Sequence, residues 1–398
     1  MKELSKKITI SLIGAIFFLV PLFFSHILKV LSFPIIFGNS SYERIKVELF
    51  YGLLIALIPF WIRSPFFKKS RAFFENKRNI FGIIALLIIL CISAVLAPDL
   101  QTALLGGGEK QHGILLFIAL GIFFLVLATL PEIYRISFIK ISFVSLAFVL
   151  FYATMQWMGL DQLGSRYILS FSEGRVFSTL GNPNYLAGFF ILFLPLVQKA
   201  LKTRAMRNLW YGLLLFGVAI SGSLFGISIV LGYFIFRLFS HYGKRRLYIP
   251  IIATTICILG ISIVSPIVPR EKLGSAEHHM IIWETGIRAV FASPERMLFG
   301  YGPEQFRTIF PRFVAKEDAR YFQDNTPDRA HDIFLDILFS FGIVGLVSFL
   351  ALLLVFFRNR TISAPSSQVM MLFLLFFSFN IPVLVHFLIA FLVVSLKD

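Results

Sequence analysis

The chain has 398 residues, 58% of them hydrophobic and only 15% charged, with 48 phenylalanines and a mean hydropathy of +0.84. Soluble globular chains are about 45–50% apolar and about 25% charged, so a soluble enzyme, a disordered chain and a secreted disulfide scaffold are excluded; the two cysteines, Cys91 and Cys257, lie in apolar runs and read as small core residues. A net charge of +16 would suggest a nucleic-acid surface in a soluble protein; here the placement of the charges decides what it means.

A membrane-crossing helix needs about 20 mostly apolar residues. In chain order such stretches lie at 8–31, 47–62, 79–97, 113–130, 137–158, 184–199, 248–268 and 332–357. Lys2, Lys6 and Lys7 ahead of the first run resemble a signal sequence, but the run is long and no small-residue cleavage site follows, so a retained first span is expected. The apolar stretch 209–239 is broken at Ser221-Gly222-Ser223, and 369–395 at Asn380-Ile381-Pro382; each reads as two helices. Pro21, Pro59 and Pro195 mark kinks within spans. The prediction is an all-α polytopic membrane protein, a single integral-membrane domain over 1–398 with about 12 transmembrane helices.

The loops alternate in charge. Those at 63–78, 199–207, 240–246 and 358–368 are basic, and those at 32–46, 98–112, 159–183 and 266–331 are not. With the N-terminus inside, every basic loop falls in the cytoplasm, as the positive-inside rule requires. Both termini are then cytoplasmic, and the whole basic excess is a topology signal with no bearing on nucleic acid. The long loop 266–331 is extracytoplasmic and partly helical. In it Met280, Trp283, Ile287 and Phe291 share one helical face and Glu284 pairs with Arg288. This predicts an amphipathic helix at the outer membrane–water interface.

Four outer segments carry unusual residues. Gly106-Gly107-Gly108-Glu109-Lys110-Gln111-His112-Gly113 lets the backbone approach a ligand closely, with Lys110 and His112 placed to meet an anion. Arg175 precedes Gly181-Asn182-Pro183-Asn184-Tyr185, where the asparagines cap a helix whose N-terminus favours anions. Glu277-His278-His279 leads through Trp283 to Gly300-Tyr301-Gly302-Pro303-Glu304-Gln305-Phe306; adjacent histidines lack the i, i+4 spacing of a helical metal site, and no metal or cofactor is predicted. Asp328-Arg329-Ala330-His331-Asp332 stands at the mouth of the span at 332–357, with Asp336 one turn further in. Ionisable groups there are functional suspects, and a histidine among carboxylates suits a general base. A salt-bridge cluster locking the loop to the bundle is the alternative.

These segments, in this order, resemble the O-antigen ligase and polymerase superfamily of membrane glycosyltransferases, from about residue 80 to the C-terminus. The resemblance rests on the glycine-Glu109-Lys110 element, on Gly181 to Ala187, on Trp283 with Gly300 to Phe306, and on Asp328 to His331 with Gly342 and Gly345. It implies a GT-C-like enzyme that takes a glycan from an undecaprenyl-diphosphate carrier to an acceptor hydroxyl of a glycan, lipid or protein on the outer face of the plasma membrane. The reaction implied is a metal-independent, inverting displacement. The motif match makes His331 the base candidate, with Asp328 or Asp332 orienting it beside Arg329. Arg175 is the diphosphate candidate, with Lys110, His112, His279, Arg288, Asn182, Asn184 and Glu304 around it. Two positions depart from the family: Leu224 stands where members carry an arginine after a serine, and His279 where they carry one four residues before the loop tryptophan. A flippase for lipid-linked glycans, or an inactive scaffold of a polysaccharide assembly complex, are the competing readings. The gathering of polar residues on the outer face, with few charges in the spans, favours chemistry over transport.

Overall fold

A computed structural model describes residues 2–23, 42–107, 111–160, 175–239, 270–323 and 326–358. Every regular element among them is helical: α1 (Lys2–Leu22), α2 (Tyr42–Arg63), α3 (Phe67–Glu75), α4 (Lys77–Val95), α5 (Leu100–Leu105), α6 (Ile114–Ala128), α7 (Glu132–Trp157), α8 (Pro183–Phe193), α9 (Leu196–Ala200), α10 (Arg204–Ile220), α11 (Leu224–Phe239), α12 (Arg270–Val290), α13 (Pro294–Phe299), α14 (Phe306–Phe313) and α15 (Ile333–Arg358). By length and composition α1, α2, α7 and the Ile333–Leu352 part of α15 can each cross a membrane, and Ile80–Val95, Ile114–Ala128 and Pro183–Phe193 are shorter apolar helices. The protein is an all-α polytopic membrane protein. The expected spans at 248–268 and 369–395, and Lys110, lie outside the described residues.

Helices apolar on nearly every face must pack on one another or face lipid. Here α1, α2, α6, α7 and α8 enclose a phenylalanine-rich core. Phe17 stacks on Phe138 at 5.7 Å and Phe50 meets Phe123 edge-on at 5.5 Å. Buried hydroxyls satisfy themselves on the helix backbone, which costs little in an apolar medium: Ser142 Oγ donates to Phe138 O at 2.9 Å, and Ser145 Oγ to Ser142 O at 2.9 Å.

Three stretches differ from the sequence expectation. The basic loop at 63–78 contains a helix of its own, α3. The loop at 98–112 contains α5, capped by Asp99, whose Oδ1 accepts from the amides of Gln101 and Thr102. The apolar run at 332–357 is broken at Gly342, where φ is +66 and ψ −168. The reason lies across from it: the Leu298 carbonyl occupies the space a Cβ would need. The carbonyls that end the first half of α15 are taken up from outside, Phe339 O by Tyr301 N at 2.8 Å and Ser340 O by Gly302 N at 2.9 Å and by Ser93 Oγ at 2.5 Å. The expected break at Ser221–Ser223 is present, parting α10 from α11, and at Leu194-Pro195, where a kink within one span was expected, a turn separates α8 from α9.

The bundle sorts its helix ends. At one end Lys6 of α1 lies beside Tyr134 at the start of α7, Tyr134 packs on Phe66, and Lys199 faces Glu132 and Arg135. At the other, Lys46 of α2 donates to Phe23 O at 2.5 Å and to Thr179 O at 2.6 Å. A second, smaller core sits on that end, built from α12, α14, Phe322 and the start of α15. α12 packs into it through Ile282, Ala289 and Val290. Its other apolar face, Met280, Trp283, Ile287 and Phe291, is 41–63% exposed. The Glu284–Arg288 pair forms at 2.6 Å.

Candidate functional site

The first half of α15 begins with a cap. Asp332 Oδ1 accepts from Leu335 N at 2.9 Å, and burial, opposed by the Leu335 and Phe334 amides, holds its carboxyl above the usual range. Just before the cap, His331 adopts φ +59, a left-handed conformation that costs a non-glycine residue about 1–2 kcal/mol. Such strain persists only where the surroundings impose it. The residue in front of His331 is held by both its backbone polar groups: Asp336 Oδ1 accepts from Ala330 N at 2.8 Å, and Trp283 Nε1 donates to Ala330 O at 2.9 Å. The imidazole lies between two neighbours. Its Nε2 lies 4.0 Å from Asp328 Oδ1, and its ring centroid lies 5.6 Å from that of His279. His331, Asp328 and His279 are each half-buried.

Beneath this surface lies a charged layer. Arg329 is 6% exposed. Its Nη2 reaches His112 Nδ1 at 3.1 Å and Glu304 Oε1 at 3.5 Å, and its Nε lies 3.4 Å from Asp328 Oδ2. Burial alone would weaken its charge; Asp328, Glu304 and Glu43, with Tyr185, outweigh that and hold its pKa above the ordinary arginine value. Arginine only donates, so His112 Nδ1 must accept and its proton is assigned to Nε2. That nitrogen faces Glu43 Oε2 at 3.7 Å. Glu304, itself at φ +60, accepts from Gly107 N at 3.1 Å. This layer ties α2, Gly107, His112, the Gly300–Phe306 segment and the approach to α15 into one unit.

A second polar group adjoins it across α8. Asn182 caps α8, its Oδ1 accepting from Asn184 N at 2.8 Å. Asn184 Oδ1 in turn accepts from Ser223 Oγ at 2.7 Å. The stem of Arg175 lies against Gly222 of the same turn, beside Leu224, which is 50% exposed. Tyr185, the next residue of α8, interacts with Arg329, so one helix start touches both groups.

The sequence candidates therefore separate by position. His331, Asp328, Arg329, His279, His112 and Glu304 come together; Asn184 and Arg175 form the adjoining group; Asp332 is a cap. Arg288 is engaged elsewhere, with Glu284 and, at 3.2 Å, with the carbonyl of Phe313. Glu43 was not foreseen, because residues 32–46 read as loop; its signal was an acidic residue at the first turn of a span. Among the described residues no group of three or more His, Cys, Asp or Glu side chains could hold a metal ion.

The chain was compared with known proteins. Residues 184–350 match a family model described as O-antigen ligase, which supports the resemblance to the O-antigen ligase and polymerase superfamily over that part of the chain. No curated protein and no solved structure matches.

Proposed function

We propose that the protein is a membrane glycosyltransferase that moves a glycan from an undecaprenyl-diphosphate carrier to an acceptor hydroxyl on the outer face of the plasma membrane, with His331 as general base. The observation that carries this reading is the strained placement of His331, next to the doubly held Ala330 and beside Asp328. A base must be held within hydrogen-bond reach of the proton it takes, and a fold that tolerates left-handed strain at one histidine is holding it for a purpose.

In the proposed step the acceptor oxygen attacks the anomeric carbon of the donor sugar from the face opposite the diphosphate, inverting it. The acceptor proton passes to the His331 imidazole, and Asp328 stabilises the imidazolium. The bond from the anomeric carbon to the diphosphate oxygen breaks, and its electron pair leaves with the diphosphate. The new negative charge needs individually placed donors. Arg175 supplies a fixed cation, and Asn184 and Ser223 stand beside it at the start of α8. Arg329 and His112 position the Asp328–His331 segment from below. The displacement requires no metal.

His331→Ala is expected to lower glycan transfer by a factor of at least about 100, while the protein still folds and inserts. The measurement is surface polymer in a deletion strain complemented with the variant. Wild-type polymer levels would remove His331 from the base role.

A further inference from the structure

The helix inside the basic loop, α3, is anchored along one side. It follows α2 after a turn that locks itself: Ser64 Oγ donates to Trp61 O at 2.8 Å and accepts from Phe66 N at 3.2 Å. Phe66 and Ser70, one turn apart, are buried. Phe66 packs on Tyr134 at 5.7 Å, and Phe67 meets Trp61 edge-on at 4.9 Å. The Trp61 indole is itself tied down, donating to Thr129 Oγ1 at 3.0 Å. α3 therefore packs against α2, α4 and α6, and the bundle fixes which way its remaining sides face.

Those sides carry two kinds of surface. Lys68, Lys69 and Arg71 are exposed and share one half of the helix, with Glu75 as its only acid. Phe74, 42% exposed, lies two turns beyond Phe67, on the strip between the anchored side and the basic one. A phenylalanine flanked by long cations suits a helix in the headgroup layer: the ring reaches the acyl boundary and the cations reach phosphates.

Place in the chain selects the partner. α2 is long and apolar enough to cross a membrane, and α4, which begins at Lys77, carries the apolar stretch Ile80–Val95. A helix tied this closely between two such helices stays at the bilayer surface. Residues 63–78 hold six Lys or Arg against one acid, a density that draws anionic lipid. A soluble polyanion would meet the charges but has no use for Phe74; a phospholipid answers both.

We infer that α3 is a binding surface for anionic phospholipid, with the headgroup on Lys68 and Arg71 and an acyl chain beside Phe74. The general bias of basic loops treats every charge on that side alike; this surface is local. It lies at the end of the bundle away from His331 and does not depend on the transfer reading.

The test titrates phosphatidylglycerol, and separately phosphatidylcholine, into the full-length protein in detergent and reads bound lipid by native mass spectrometry. Wild type is expected to bind phosphatidylglycerol about tenfold more tightly or better. Lys68→Ser with Arg71→Ser is expected to lose roughly tenfold in that affinity and none for phosphatidylcholine, whereas Lys68→Arg with Arg71→Lys keeps it, which separates lost charge from a disturbed helix. Phe74→Ser is expected to weaken both lipids. Lys202→Ser with Arg204→Ser removes the same charge from other exposed positions on the basic side and is expected to leave the affinity within about twofold. Equal losses in the two neutralised pairs, undiminished binding without Lys68 and Arg71, or no preference in wild type overturns the surface. Tighter retention of polyuridylate than of phosphatidylglycerol overturns lipid as its occupant.

Discussion

Arg175 and Arg329 carry the same side chain into different surroundings, and their substitutions separate their roles. Arg329 is buried against Glu304 and Asp328, so its loss strands carboxylates without a cation. Removing one partner of such a buried pair costs about 3–5 kcal/mol. Arg329→Ala is expected to yield little folded protein, seen as a fall in thermal unfolding temperature or in the monodisperse fraction. Arg175 is half-buried beside Gly222. Arg175→Ala is expected to leave the fold intact and to raise the KM for the lipid-linked donor, and Arg175→Lys to keep part of the donor use, because a point charge replaces a planar fork. Unchanged donor dependence in a reconstituted assay would take Arg175 out of the site. Sequence reasoning named both arginines but could not tell a buried counter-ion from a ligand-facing one. That distinction depends on Glu304 and His112, which approach from segments 25 and more than 200 residues away.

At the level of elements, the apolar runs were legible because a bilayer demands them: α1, α2, α7 and α15 fall where hydropathy placed spans. The break in α15 was not legible. A glycine inside an apolar run serves equally well for close helix packing, and only the carbonyl of Leu298 against Gly342 decides otherwise. The same physics gives a prediction. Gly342 combines φ +66 with ψ −168, a region open essentially to glycine alone, and a Cβ there meets the Leu298 backbone. Gly342→Ala is expected to destabilise the protein by about 3 kcal/mol and to unseat α13 from α15. Gly121→Ala is the control, since nothing lies within 4 Å of the added carbon in α6; it should be neutral or slightly stabilising. Equal melting of the two variants would show that the break does not depend on that glycine.

Across the whole molecule, charge and geometry tell one story from independent observations. The alternation of basic and non-basic loops assigns helix ends to two sides, using nothing but Lys and Arg counts. The structure gathers the same ends without reference to charge: Lys6, Phe66, Tyr134 and Lys199 meet at one end of the bundle, while Glu43, Gly107, His112, Thr179, Asn184, Ser223, Glu304 and Arg329 meet at the other. Packing alone would sort the ends this way whichever side faced the cytoplasm; the positive-inside rule then orients the sorted bundle. The site would face outward, where a lipid-linked glycan and its acceptor could meet. Single cysteines in a cysteine-free background test the orientation. Lys69→Cys and Lys202→Cys, both exposed on the basic side, should resist a membrane-impermeant maleimide in spheroplasts and react after lysis. Lys316→Cys, exposed beside the second core, should react in intact spheroplasts. The reverse pattern would turn the histidine pair toward the cytoplasm and defeat the proposed reaction, because its acceptor would stand on the wrong side of the membrane.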